Sequence, residues 1–145
     1  MNNVIKKIKL VTNVICYGPE PKSNDEVEQR LTLNNQGRVW FNSYNFGQGF
    51  YSFELKSRSR KSVDKEKVKI FFNHIQKYFE SDREDCYITD VGEWTLNITY
   101  EDGNIVQYIG SIGQGKRVDG IDLSDELRML MNDKNLFAFD GNWKG

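Results

Sequence analysis

The stretch from Trp94 to Ile109, WTLNITYEDGNIVQYI, constrains the fold more than any other part of the chain. Trp94, Leu96, Ile98 and Tyr100 alternate with Thr95, Asn97 and Thr99, the period-two pattern of a strand with one buried face. Asp102-Gly103 follows at once, the dipeptide favoured in two-residue type I′ hairpin turns. Pairing Glu101 with Asn104 across such a turn sets Tyr100 opposite Ile105, Ile98 opposite Gln107 and Leu96 opposite Ile109. One face is apolar, the other carries threonine and asparagine, and neither holds a reactive group.

Other segments repeat the theme. Residues 4–17 read as a long Val- and Ile-rich strand, followed by a polar loop, Gly18 to Asp25, that holds both prolines. Residues 28–34 and 38–44 form a second hairpin around Asn34-Asn35-Gln36-Gly37, with Leu31, Leu33, Val39 and Phe41 inward. A strand is expected at about 50–56. The period then changes. Val68, Phe71, Phe72, Ile75 and Phe79 are spaced three and four apart, one stripe of a helix over about 64–80. Asp64 suits its N-cap, and Val63 can staple against Val68. A glycine-rich loop covers 110–120, and a short helix over about 123–132 follows, with Leu123, Leu127, Leu130 and Met131 inward. Leu136, Phe137 and Phe139 close the core as a last short strand or extended segment. Strands with segregated helices predict an α+β fold, an antiparallel sheet of about five to seven strands with the long helix packed on one face.

At 145 residues the chain is expected to form a single domain, residues 1–145. Such a domain buries enough surface to stand without a metal or disulfide. Twenty basic against twenty-one acidic residues, net charge −1, give no global pull toward nucleic acid or an anionic membrane. Cys16 and Cys86 stand alone, without zinc or redox spacing. No apolar run reaches signal-peptide or membrane-spanning length, so a cytoplasmic protein is expected.

Few motifs carry chemistry. Gly110 to Arg117, GSIGQGKR, nearly spells a phosphate-binding loop, but Arg117 stands where the magnesium-binding hydroxyl belongs. The preceding strand lies in a hairpin, and Asp119-Gly120 occupies the start of the required helix. A flexible loop presenting Lys116 and Arg117 at its tip fits better. Phe46 to Phe53, FGQGFYSF, has some likeness to the aromatic strand of RNA-recognition motifs, without its leading basic residue. The basic residues Lys56, Arg58, Arg60 and Lys61 follow, and Arg38, Trp40 and Tyr44 lie on the preceding strand. Exposed aromatics beside such a run can stack bases and hold phosphates. The alternative is that the aromatics pack the sheet, where aromatic residues are common, while the basic run is a solvated loop before the helix. His74, the one histidine, is expected on the exposed side of its helix. Asp119, Asp122, Asp125 and Glu126 gather near a helix N-terminus, where the dipole favours carboxylates without any function. No catalytic group, metal site or cofactor site emerges.

Trp94-Thr95-Leu96-Asn97-Ile98-Thr99-Tyr100-Glu101-Asp102-Gly103, Leu123-Ser124 with Arg128, and Phe139-Asp140-Gly141-Asn142 together resemble a group of small uncharacterised bacterial proteins. The resemblance covers the last third of the chain and implies a bacterial or phage origin and a standalone domain. It implies no activity and no functional residues.

The expected function is therefore non-enzymatic: stoichiometric binding of a protein partner, of the inhibitor, immunity or phage anti-defence kind, with no membrane involvement. The expected surface combines Trp40, Tyr44, Phe46, Phe50 and Tyr51 with Arg58 and Arg60, joined by Lys116 and Arg117. One alternative is a nucleic-acid-binding module using the 38–61 region. The other is a structural domain without a separable site.

Overall fold

A computed structural model describes residues 3–15, 25–47, 53–81, 92–112 and 115–142. Six strands form one antiparallel sheet: β1 (Ile5–Asn13), β2 (Glu26–Asn34), β3 (Arg38–Phe46), β4 (Phe53–Ser62), β5 (Glu93–Tyr100) and β6 (Ile105–Ser111). Their order in the sheet is β4-β3-β2-β1-β5-β6. Helix α1 (Lys65–Phe79) joins β4 to β5 and packs on one face. The short hairpin β7 (Arg117–Val118) and β8 (Ile121–Asp122) leads into helix α2 (Leu123–Met131). This is the α+β architecture expected, with both helices close to their expected bounds. No helix among the described residues is long and apolar enough to cross a membrane.

The core is one cluster. The α1 stripe of Val68, Phe71, Phe72, Ile75 and Phe79 meets Ile8, Leu10, Leu31, Leu33, Leu96 and Ile98 of the sheet. Phe79 packs at 4.7 Å from Tyr108, 5.8 Å from Trp94 and 5.9 Å from Phe139, ring centre to ring centre. Asp64 caps α1 by accepting the Glu66 N–H at 2.9 Å, which satisfies one orphan donor of the first turn. Asp122 caps α2 through the Asp125 N–H at 3.0 Å, and Asn132 closes it in the left-handed conformation, φ 52°.

Four expectations are corrected. The β5–β6 hairpin is one residue out of the expected register: Thr99 pairs with Ile105, Ile98 with Val106 and Leu96 with Tyr108. Its loop is Glu101-Asp102-Gly103. Gly103 N–H donates to Tyr100 C=O at 3.0 Å and Tyr100 N–H to Asn104 C=O at 2.9 Å. With only Gly103 at positive φ, this is a type I turn closed by a left-handed glycine, not a type I′ turn. A one-residue slip reverses the faces of a strand. Val106 and Tyr108 therefore turn inward, and Ile105 and Ile109 outward. The reason lies at Trp94, which pairs with Gly110; a Cβ there would stand 2.3 Å from the indole ring. The expected register would bring a side chain to that spot.

Second, the basic run is not a loop. It is strand β4, carried to Ser62 by pairing with β3. Third, the loop 110–120 contains a hairpin, with both Asp119 (φ 51°) and Gly120 (φ 79°) at positive φ. Fourth, the segment from Leu136 to Phe139 is buried but forms no strand. Side chains satisfy its backbone instead. Gln29 accepts the Phe137 N–H at 2.6 Å, Ser124 accepts the Phe139 N–H at 3.1 Å, and Thr12 donates to the Ala138 C=O. Arg128 donates to the carbonyls of Leu136 at 2.8 Å and Phe137 at 3.1 Å. Cys16 and Cys86 lie outside the described residues.

Candidate functional site

The face of the sheet opposite α1 carries no second layer among the described residues. Antiparallel sheets of this kind leave one face to water or to a partner. Register fixes what that face displays. Across the six strands one row reads Arg60, Trp40, Thr32, Lys9, Asn97 and Gln107. The next reads Arg58, Asn42, Arg30, Val11, Thr95 and Ile109.

Trp40 is the aromatic centre of this face, with 38% of its surface exposed. It stands directly opposite Arg60 on β4, and a shallow cavity of about 290 Å³ runs between Arg38, Trp40, Arg60 and Lys61. Tyr44, two rungs away, is half-buried, with the Arg30 guanidinium 4.4 Å above its ring. Arg30 also meets the Glu28 carboxylate at 2.7 Å, so its charge is matched. Among the described residues, Lys9, Arg58 and Arg60 enter no ion pair. Arg60 and Arg58 thus flank Trp40 on β4, with Lys9 across Thr32 in the same row, and none of the three is ion-paired among the described residues.

A β-bulge at Ser43/Tyr44 sets Tyr44 against Leu55, and Lys56 reaches Glu26 at 3.5 Å. The bulge strengthens the local twist of this charged edge, a common way to blunt a sheet edge. Lys61 points to the other face, where its ammonium donates to the Met131 carbonyl at the end of α2.

The expected residues separate into three groups. Trp40, Arg58 and Arg60 come together as expected, with Tyr44 alongside. Phe46 is half-buried at the end of β3, paired with Phe53, while Phe50 and Tyr51 lie outside the described residues. Lys116 does not belong to the surface. It is 2% exposed, with its ammonium 4.8 Å from the Trp94 ring and 5.6 Å from the Tyr78 ring. Arg117 is exposed but starts β7, on the helical side of the molecule. Lys9 and Arg30 were not expected at the surface patch. Their polar alternation within β1 and β2 is visible in the chain, but only cross-strand register sets them beside Trp40.

The carboxylates near α2 have structural partners. Asp119 meets Lys77 at 2.8 Å, and the Lys77 ammonium, by bond and charge, holds its carboxyl below the usual range. Glu126 meets His74 Nδ1 at 2.7 Å, joining α2 to α1. His74 is therefore half-buried at a helix–helix contact, not exposed as expected. Asp125 and Asp140 both bond Arg128. Among the described residues, no group of three His, Cys, Asp or Glu side chains is placed to hold a metal ion. Neither a protein-family model nor a curated protein sequence matches the chain.

Proposed function

We propose that this protein is a non-enzymatic binding module that docks its open sheet face on a partner protein with an acidic surface, in the manner of a cytoplasmic inhibitor, immunity or anti-defence protein. The observation that carries this reading is the exposed Trp40 ring flanked by Arg58 and Arg60, with Lys9 two strands away in the same row, none in an ion pair among the described residues. Tryptophan and arginine are the residue types that most often dominate interface energies. These cations, on a chain of net charge −1, set up local attraction for an acidic surface while the molecule as a whole stays near neutral. The carboxylates and the histidine near α2 are engaged in caps and ion pairs, which supports binding over acid–base chemistry.

The same cations and ring favour a second reading, an unstructured nucleic-acid strand stacked on Trp40 with its phosphates on the arginines. Salt separates the two. Phosphate-driven binding weakens by orders of magnitude between about 50 and 200 mM salt, whereas an aromatic-anchored protein interface changes little. The test is capture of partners from native lysate, with and without nuclease, by wild type and by Trp40→Thr and Arg58→Glu/Arg60→Glu. Threonine keeps the strand preference of position 40. A protein that survives nuclease, binds wild type and is lost from both variants supports the reading. Retention by both variants, or loss of every partner on nuclease treatment, overturns it. Removing a central Trp anchor costs at least about 2 kcal/mol, roughly thirtyfold in Kd.

A further inference from the structure

The two edges of the sheet differ in kind. The β4 edge carries Glu54, Lys56, Arg58, Arg60 and Lys61, and charge on an edge deters strand addition. The β6 edge, IVQYIGS, carries no charge, and Ile105 and Ile109 stand 68% and 52% exposed along it. Backbone polarity completes the contrast. Because Tyr100 N–H donates to Asn104 C=O, alternation along the ladder directs the N–H and C=O groups of Val106, Tyr108 and Gly110 toward β5. Those of Ile105, Gln107 and Ile109 point away from the sheet, and no described strand pairs with them.

We propose that β6 is a dimerisation edge whose partner is a second copy of this chain, paired antiparallel about a two-fold axis through Gln107. In that register Ile105 faces the partner's Ile109, Gln107 faces the partner's Gln107, and Ile109 faces the partner's Ile105. Apolar meets apolar at both ends, all on one face, and the amide side chains meet at the axis. Each of the three pairs is of the bonded type, so roughly six backbone hydrogen bonds form from groups that no described strand pairs. The strand is complementary to itself, whereas pairing with β4 would set the isoleucines against Arg58 and Arg60. The contact therefore closes as a dimer rather than extending as a filament. The axis is normal to the sheet, so two six-stranded sheets become one and both Trp40 faces lie on the same side. A single strand edge is smaller than a standard stable interface, so dimer and monomer exchange with concentration. The proposal stands independently of what the open face binds.

Sedimentation velocity of the full chain over a concentration series tests it. The wild type is expected to shift from monomer mass to twice that mass. Gln107→Lys and Gln107→Glu each put like charges opposite one another at the axis and are expected to stay monomeric. An equimolar mixture of the two variants is expected to recover the dimer, because lysine then faces glutamate. Position 107 is exposed, so both variants keep the fold, which circular dichroism checks. Amide exchange gives a second readout: Ile105, Gln107 and Ile109 gain protection with concentration in the wild type and not in either variant alone. A wild type that stays monomeric, a variant that dimerises as the wild type does, or a mixture that stays monomeric overturns the proposal.

Discussion

Arg128→Ala is expected to be among the most damaging single substitutions outside the apolar core. The side chain is only 12% exposed, and its guanidinium spans three groups of the C-terminal segment: the carbonyls of Leu136 and Phe137 and the carboxylate of Asp140. Burial works to lower its pKa, yet the bonds to and charges of Asp140 and Asp125 outweigh burial and hold it above the ordinary value. Truncation leaves the buried Leu136 carbonyl without a partner, at about 1–3 kcal/mol, while the Phe137 carbonyl keeps the Gly141 N–H at 2.8 Å. Asp140 is partly solvated, so losing its partner adds about 1 kcal/mol rather than the full cost of a stranded buried charge. The contact to Asp125 is at the surface and adds little. The sum is about 2–4 kcal/mol, or a fall of roughly 4–16 °C in melting temperature for a domain of this size. Urea unfolding of Arg128→Ala, Arg128→Lys and Asp125→Ala measures it. Lysine offers one ammonium and cannot span both carbonyls and the carboxylate, so Arg128→Lys should recover less than half of the loss. If Arg128→Ala costs under about 1 kcal/mol and matches Asp125→Ala, apolar packing alone holds residues 136–140 and the clamp is irrelevant.

Phe72→Ala, on the buried stripe of α1, should cost about 3–5 kcal/mol in urea unfolding; a loss under about 1 kcal/mol would mean that α1 packs loosely. Gly37→Ala should destabilise more than Gly103→Ala by the same assay. Both glycines have positive φ, but a Cβ at Gly37 stands 2.3 Å from the Val63 carbonyl oxygen, while one at Gly103 meets nothing. Equal losses would refute the steric part. Stability should also fall as pH rises above about 10.0. Burial, then the nearby Glu80 carboxylate, raise the Tyr100 pKa, so the folded chain keeps a proton that the unfolded chain releases. Tyr100→Phe removes this contribution, and an unchanged alkaline slope in that variant would refute it.

What the chain reveals by itself follows from how local the deciding forces are. Helix α1 is legible because five apolar residues at helical spacing and an aspartate cap all lie within one segment. The β2–β3 hairpin is legible because its turn and both alternating strands are contiguous. The end of β4 is not, since KSRSRKS has no apolar alternation and becomes a strand only by pairing with β3. The C-terminal segment reads as extended because its residues are apolar. Its actual turns depend on Gln29, Thr12, Ser124 and Arg128, up to 126 residues distant in the chain. Lys116 reads as a surface charge for want of any local sign that Trp94 and Tyr78 receive it. Of the proposed binding surface, Trp40, Arg58 and Arg60 could be grouped because the basic run follows the aromatic strand closely in sequence, although the pairing of Trp40 with Arg60 could not be read from it. Lys9 and Arg30 could not, because they arrive through register on strands far away in sequence.

The dipeptide Asp-Gly occurs at two hairpin turns, and the difference between them decides the character of the surface. At Asp119-Gly120 both residues take positive φ and the turn has two residues. No long ladder imposes a register on that turn, because β7 and β8 are two residues each. At Asp102-Gly103 the same dipeptide sits at the end of two long strands, and Asp102 stays at negative φ while only Gly103 crosses over. Its side chain instead accepts the Asn104 N–H at 2.9 Å, stabilising the longer loop. The free-energy difference between two good turns is small beside burying Tyr108 against Phe79 and fitting Gly110 beneath Trp94. Core packing therefore selects the loop, and the loop selects the register. Register in turn places Ile105 and Ile109 on the outer face and directs their backbone groups, with those of Gln107, away from the sheet. A two-residue turn would have given the reverse: Val106 and Tyr108 outside and a cramped core. The outward isoleucines of the uncharged β6 edge are thus a consequence of a tryptophan that requires a glycine as its neighbour.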